Sequence, residues 1–267
     1  MRLSTRLVPW VLPVAAALVL TGCGGASEDA TATPAASSPA DDALSGTLTV
    51  FAAASLTDVF TDLGERFEAD HPGLDVQFNF AGSSALATQL TQGAPADVFA
   101  SANEAQMAVV TDAGLADDPQ VFAANVLQIA VPAGNPAGVT GLADLARQDL
   151  TIALCAPQVP CGAAAEDVLA AAGVRAAPDT LEEDVRAALT KVELGEVDAA
   201  LVYTTDVTAA GDAVEGIDVP EAEQAVNDYP IAVLADAPNP EAAAAFVELV
   251  RSEEGQQALA DAGFRTP

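Results

Sequence analysis

The segment from Thr47 to Thr57 changes its hydrophobic pattern half-way along. Leu48 to Phe51 is β-branched and aromatic, which favours a strand. After Ser55, apolar residues recur at the spacing of one helix face, and they are Leu56, Val59, Phe60, Leu63 and Phe67. The pattern predicts a strand and then a helix that begins at or just after Ser55.

The same alternation continues along the chain. Further strands are predicted at Leu74 to Phe80, Ala96 to Ala100, Val126 to Val131, Leu150 to Leu154, Ala199 to Tyr203 and Ile231 to Leu234. Helices are predicted between them, including one capped by Asp184 whose first residue is Val185, and two at the end, Glu241 to Val250 and Gly255 to Ala262. Alternating strands and helices indicate an α/β fold with mainly parallel sheets and helices on both faces.

The sequence predicts two lobes if the chain leaves the first lobe near Val126 and returns to it near Pro230. Lobe I would comprise 46–125 and 230–267, and lobe II would comprise 126–229. In such sheets, ligands bind beyond the carboxyl ends of the strands. Ser55 and Ser83 each lie at such an end, where a helix begins. Free N–H groups at a helix start can bind an anion, although a lone serine such as Ser55 can also be a simple N-cap.

The amino terminus has the layout of a bacterial lipoprotein signal. Arg2 and Arg6 precede an apolar run that ends in Leu-Thr-Gly-Cys, so 1–22 would be removed and Cys23 acylated. An ordinary secretory signal or a membrane-spanning helix is the alternative, but the apolar run is short for a span. The segment 23–45 is rich in Gly, Ala, Ser, Thr, Pro and Asp, which indicates a flexible tether.

The chain is strongly acidic, with a formal net charge of −30 from 9 basic and 39 acidic residues. Removing Arg2 and Arg6 leaves 7 basic residues and a net charge of −32. This balance argues against binding to nucleic acid or electrostatic docking on anionic lipid. Any anion must therefore be held by local donors such as backbone N–H groups and hydroxyls.

Six sequence strings resemble the periplasmic molybdate-binding proteins of ABC transporters. They are FAAASLT at 51–57, FAGSSALA at 80–87, GAPADVFASA at 93–102, VPCGAAAEDVL at 159–169, EDVRAAL at 183–189 and VYTTD at 202–206. The resemblance covers the chain from about Gly46 to Phe264 and implies a two-lobed, type II periplasmic binding protein that closes over a tetrahedral oxyanion. It also implies a monomer on the extracytoplasmic face of the membrane, anchored through Cys23, which passes its ligand to an ABC permease.

The resemblance also implies the ligand groups. They are the hydroxyl and N–H groups of Ser55 and Ser83, the backbone N–H groups of Cys161 and Val185, and the phenol of Tyr203. Molybdenum would enter only as its oxyanion, without a protein ligand on the metal and without a cofactor. The family has alanine at the position of Cys161. Only the backbone N–H is used there, so the donor is retained although the side chain differs.

A site made only of donors suits molybdate or tungstate, which are fully deprotonated at neutral pH. Phosphate retains a proton near neutrality, and sulfate differs mainly in size, so receptors for these ions are the alternative. A serine hydrolase is a further alternative, but the sequence has no GxSxG, and its single histidine, His71, lies in a loop. A metal-binding receptor is disfavoured because histidine clusters are absent. We therefore expect a binding protein, not an enzyme.

Cys155 and Cys161 remain as a pair if Cys23 is acylated. They are six residues apart across a turn that contains Pro157 and Pro160, in a compartment that favours oxidation. A disulfide is expected if the turn brings their Cα atoms within about 7 Å. Two buried free thiols are the alternative.

Overall fold

The computed structural model describes residues 44–266. The predicted signal peptide, the predicted acylation site Cys23 and all but the end of the predicted tether lie outside these residues. The first strand begins at Ser45, the last residue assigned to the tether. Within the described part, no helix is both long enough and apolar enough to cross a membrane.

The first sheet contains five strands in the order β2, β1, β3, β10, β4. The strands are β1 (Ser45–Ala53), β2 (Gly73–Ala81), β3 (Val98–Ala100), β4 (Gln120–Asn125) and β10 (Asn227–Val233). The helices that follow them in the chain are α1 (Thr57–Asp70), α2 (Ser83–Thr91), α3 (Glu104–Asp112), α7 (Pro240–Arg251) and α8 (Glu253–Asp261). A core of aromatic and aliphatic side chains lies beneath α1, α7 and α8, with Phe60 and Phe246 in edge-to-face contact at 5.8 Å, and a second buried cluster lies beneath α2 and α3.

The second sheet also contains five strands, in the order β7, β6, β8, β5, β9. They are β5 (Leu127–Pro132), β6 (Ile152–Cys155), β7 (Thr180–Glu182), β8 (Ala199–Tyr203) and β9 (Val214–Ile217). Its helices are α4 (Pro160–Ala172), α5 (Val185–Glu193) and α6 (Thr204–Ala210). A separate set of buried aliphatic residues forms the core around this sheet.

Each sheet is evenly mixed, whereas the sequence predicted mainly parallel sheets. In the first sheet β1 pairs parallel with β2 and β3, while β10 pairs antiparallel with β3 and β4. In the second sheet β6 pairs parallel with β7 and β8, while β5 pairs antiparallel with β8 and β9. The antiparallel strands β5 and β10 are those on which the chain enters a sheet from the other one, without an α-helix in the connection.

The strand β4 is absent from the sequence prediction. Its residues Gln120–Asn125 are small or polar apart from Val121 and Phe122, and four of the six are buried. A strand buried in this way has no alternation of polar and apolar residues to indicate it. β4 and β5 are separated only by Val126, so the chain passes between the sheets within one residue. The return strand begins at Asn227, before Pro230. The lobe boundaries assigned from the sequence stay a prediction.

Candidate functional site

The two sheets direct the ends of several strands and the starts of several helices toward one small cavity. All five residues expected to bind the anion line it: Ser55, Ser83, Cys161, Val185 and Tyr203. The remaining lining residues are Ala53, Ala54, Gly82, Ala102, Val159, Pro160 and Asp184. The cavity is small, with a volume of about 10 Å³. This volume is far below the roughly 300–1,000 Å³ of sites for drug-sized ligands, so no ligand of that size fits it.

Ser55 lies in a single 3-10 turn, Ala54–Leu56, between β1 and α1. The residue that precedes α1 is Leu56, and no side chain caps the helix. The N-cap alternative for Ser55 is therefore wrong. The hydroxyl of Ser55 instead lies 2.9 Å from the phenolic oxygen of Tyr229 on β10. This contact leaves Ser55 at the cavity wall with its side chain held by a neighbouring strand.

Ser83 is the first residue of α2, and its side chain is 1% exposed. Its Oγ accepts a hydrogen bond of 3.0 Å from the backbone N–H of Ala102. Gly82 precedes it at a close approach between two backbone segments, where an added Cβ would lie 2.5 Å from the carbonyl oxygen of Glu183. Only glycine allows the start of α2 to come this near the segment that leads into α5.

Cys161 and Val185 lie in the first turns of α4 and α5. N–H groups in a first turn have no acceptor within their own helix and carry the positive end of the helix dipole. Asp184 caps α5 by accepting from the N–H of Ala187 at 2.9 Å, as the sequence predicted. These two helices therefore present free donors to the cavity wall.

Cys155 at the end of β6 and Cys161 are joined in a disulfide, with their Cα atoms 5.7 Å apart. The expected bridge is therefore present, and the alternative of two free thiols is not. The bridge closes the turn between β6 and α4. It thereby holds the backbone around the Cys161 N–H.

Tyr203 ends β8 and is 1% exposed. Burial raises the pKa of its phenol well above the ordinary value, so the group is neutral and keeps its hydrogen. The backbone N–H of Tyr203 donates to Asp206 Oδ2 at 3.0 Å. Burial also raises the pKa of Asp206 to about 7, against the opposing effect of that N–H. The other oxygen of Asp206 is buried without a hydrogen-bond partner among the described residues.

The arrangement can bind an anion by hydrogen bonds. Apart from the carboxylate of Asp184, its polar groups are hydroxyls and helix-start N–H groups, and no lysine or arginine is among the lining residues of the described chain. One carboxylate, that of Asp184, lines the cavity, but its Oδ1 is committed to the α5 cap. A ligand that only accepts hydrogen bonds matches such a donor set.

Sequence reasoning missed the residues that hold these donors in place. Asn227 contacts both the phenol of Tyr203 and the carbonyl of Ala102, and Tyr229 contacts Ser55. Asn125 at the end of β4 donates a 2.9 Å hydrogen bond to the hydroxyl of Thr205 in α6. These contacts link residues far apart in the sequence, and no motif marks them. The one usable signal is composition, since the chain has only two tyrosines and both are at this site.

The geometry does not support a nucleophilic role for Ser55. His71 immediately follows α1, at the end opposite Ser55. Fourteen residues of helix separate the two ends by about 20 Å. The ring of His71 packs edge-on against Phe67. Residues 44–266 also contain no cluster of three or more His, Cys, Asp or Glu side chains with a metal-ligand arrangement.

Comparison with known proteins gives a consistent result. Residues 48–265 match the family model described as bacterial extracellular solute-binding protein. The chain is 44% identical over 267 residues to the molybdate-binding protein ModA of Mycobacterium tuberculosis H37Rv, covering 99% of this chain and 98% of that protein. It is 32% identical to the molybdate-binding protein ModA of Escherichia coli K12, over 82% of this chain and 89% of that protein.

Solved structures show the same fold. The substrate-binding domain of a putative molybdenum ABC transporter from Clostridium difficile is 26% identical, with a TM-score of 0.62 over 83% of this chain and 99% of that one. The periplasmic molybdate-binding protein of Azotobacter vinelandii superimposes with a TM-score of 0.69 at 20% identity, over 82% of this chain and 99% of that one. With these matches along nearly its whole length, the chain belongs to the family of bacterial extracellular solute-binding proteins.

Proposed function

We propose that this protein captures molybdate or tungstate in the cavity lined by Ser55, Ser83, Cys161, Val185 and Tyr203. The observation that carries the proposal is the composition of the cavity wall, which offers hydroxyls and helix-start N–H groups around a small space. Two relatives that match nearly the whole folded chain bear the name molybdate-binding protein. The protein acts by binding and has no catalytic role.

The hydrogen-bond donors of the site discriminate between oxyanions that carry a proton at neutral pH and oxyanions that carry none. Molybdate, tungstate and sulfate carry none at neutral pH and can accept a hydrogen bond at every oxygen. Hydrogen phosphate brings a donor, which needs an acceptor in the site, and a buried donor without one costs roughly 1–3 kcal/mol. Sulfate is therefore the second candidate, separated from molybdate by size alone.

The donors come from both sheets, since Ser55 and Ser83 follow strands of the first and Cys161 and Tyr203 belong to the second. Closure of two lobes over the ligand would bring them together, by a hinge at the crossings between the sheets. The partner of the closed, monomeric protein would be an ABC permease, which receives the oxyanion.

The protein is proposed to work outside the cytoplasm, tethered by acyl chains on Cys23. The Leu-Thr-Gly-Cys string supports this anchor. Cys23→Ala would then release the protein from the membrane, because the acyl chains hold it there. Continued fractionation of the variant with membranes would count against the anchor.

Ligand-dependent thermal unfolding tests the binding function. A ligand that binds only the folded state raises the melting temperature. We expect saturating molybdate and tungstate to raise it more than sulfate, and phosphate to have the smallest effect. If molybdate and tungstate leave it unchanged while sulfate or phosphate raises it, the assignment is wrong.

A further inference from the structure

Both backbone groups of Ala102 are engaged with side chains at the cavity. Its N–H donates to Ser83 Oγ at 3.0 Å, and its carbonyl oxygen accepts from Asn227 Nδ2 at 2.8 Å. Ala102, Ser83 and Asn227 are all buried. Ala102, two residues after β3, thus contacts side chains that reach the site from α2 and β10.

The contact with Ala102 determines which way the Asn227 amide faces. A carbonyl oxygen can only accept a hydrogen bond, so the Asn227 atom beside it must be the nitrogen. That nitrogen carries two hydrogens and does not accept. Its second hydrogen is directed to the phenolic oxygen of Tyr203, 3.0 Å away.

The direction of the Tyr203 hydroxyl follows. Because Asn227 donates to it, the phenolic oxygen of Tyr203 is the acceptor in this contact, and its own hydrogen remains available for another partner. Tyr203 lines the cavity, and its raised pKa keeps that hydrogen in place.

The direction of the Ser83 hydroxyl is set in the same way. An amide N–H can only donate, so Ser83 Oγ accepts from Ala102 and its hydrogen is also left over. Among the described residues, the hydroxyl of Ser83 makes no other hydrogen bond. The third hydroxyl, that of Ser55, contacts Tyr229 at 2.9 Å, and either oxygen could donate there.

We propose that Asn227 and Ala102 are positioning residues that set the direction of the Tyr203 and Ser83 hydroxyls before the ligand arrives. A protein donor then occupies one lone pair of each hydroxyl, and the hydrogen of each hydroxyl is left to be donated to a ligand in the cavity. Such a site favours an oxyanion without a proton, because the only carboxylate among the described lining residues is that of Asp184, which is partly engaged in capping α5. This inference rests on the proposed function and explains its selectivity between molybdate and hydrogen phosphate.

A double-mutant cycle separates this role from simple packing. The proteins compared are wild type, Asn227→Leu, Tyr203→Phe and the double variant, each titrated with molybdate by calorimetry after its melting temperature is checked. We expect Asn227→Leu to weaken binding about tenfold when Tyr203 is present. In the Tyr203→Phe background the same change is expected to weaken binding less than about twofold, because no hydroxyl remains to be oriented.

Equal losses in both backgrounds would overturn the inference, since a packing defect acts whether or not the phenol carries a hydroxyl. Asn227→Ala provides a second variant for the same cycle if the leucine side chain does not fit. If wild type binds no molybdate, both the proposed function and the positioning role are overturned. If wild type binds molybdate but the effects of the two substitutions on the binding free energy are additive, only the positioning role is overturned.

The selectivity is a second readout, measured by competition against bound molybdate. We expect Asn227→Leu to reduce the preference for molybdate over hydrogen phosphate while leaving the preference over sulfate within about twofold, since sulfate has no proton to accommodate. A parallel change in both preferences would contradict the assigned role.

Discussion

The guanidinium of Arg186 lies 3.0 Å from the carboxylate of Asp58. Arg186 is the second residue of α5, directly after the proposed donor Val185, and Asp58 is the second residue of α1, three positions after Ser55. The ion pair therefore joins the helices that begin on the two sides of the cavity. Gln106 on α3 makes a further contact of this kind, donating to the carbonyl oxygen of Gln158 at 3.2 Å.

The first prediction is that this ion pair contributes modestly to ligand retention. Both side chains are partly exposed, and exposed pairs contribute about 0.2–1 kcal/mol. Arg186→Gln should therefore weaken molybdate binding by up to about fivefold, with a smaller effect at high salt. Arg147→Gln is the matched control, because Arg147 pairs with Asp149, away from the cavity. Equal effects of both substitutions on affinity would contradict a bridging role.

The second prediction concerns the approach of Gly82 to Glu183. A Cβ at Gly82 would lie 2.5 Å from a backbone oxygen that follows β7, so Gly82→Ala should obstruct closure. We expect molybdate affinity to fall tenfold or more, because relief of the clash moves the segment that carries Ser83 away from the segment that carries Val185. Gly141→Ala is the control, because a Cβ there meets nothing within 4 Å. Full affinity in Gly82→Ala would show that the two segments can separate without loss.

The third prediction is a pH dependence of stability from Asp206. Burial raises its pKa in the folded protein to about 7, against about 3.9 in an unfolded chain. Between these values the folded state holds a proton that the unfolded state has released, so the free energy of unfolding falls as the pH rises. The contribution is complete below about pH 4 and lost above about pH 7.

Asp206→Asn removes this titration and retains an oxygen that can accept from the Tyr203 N–H. Urea unfolding from pH 4 to pH 8 should show that the free energy of unfolding of wild type falls by up to about 4 kcal/mol relative to that of the variant. Comparing the two proteins cancels the titration of the many other carboxylates. Parallel profiles would mean that the Asp206 carboxyl titrates normally.

The fourth prediction concerns the Cys155–Cys161 disulfide. The closed loop is short, so its loss should lower stability by only about 2 kcal/mol. Its larger effect should be on binding, because reduction frees the turn that positions the Cys161 N–H. Free-thiol titration, urea unfolding and molybdate calorimetry, each before and after reduction, measure both effects. Two reactive thiols in denatured, unreduced mature protein, or unchanged affinity after reduction, would contradict this account.

Local pattern was enough to locate most elements. The strand at Ala199–Tyr203 has the predicted bounds, because a short apolar run lies between acidic residues and a helix start. The start of α5 was equally clear, since Asp184 is a strong N-cap residue. The direction of each strand was not accessible in this way, because it depends on which sheet the strand joins.

The cavity was predicted in part for the same reason. Helix starts and strand ends are local features of the sequence, and they indicate Ser55, Ser83 and Val185 independently of the resemblance. The supporting contacts of Asn227 and Tyr229 are tertiary, and they lie on a strand of which the sequence indicated only the second half. Residue types alone could not indicate which hydroxyl each would contact.

The most direct test of the account is a calorimetric titration of molybdate into wild type, Ser83→Ala and Val185→Ala. Wild type should bind one ion per chain. Ser83→Ala deletes one hydrogen bond to a charged ligand and should weaken binding by about ten- to a hundredfold, whereas Val185→Ala keeps its N–H and should change affinity little. Absence of molybdate binding by wild type, or a larger loss for Val185→Ala than for Ser83→Ala, would contradict the proposed site.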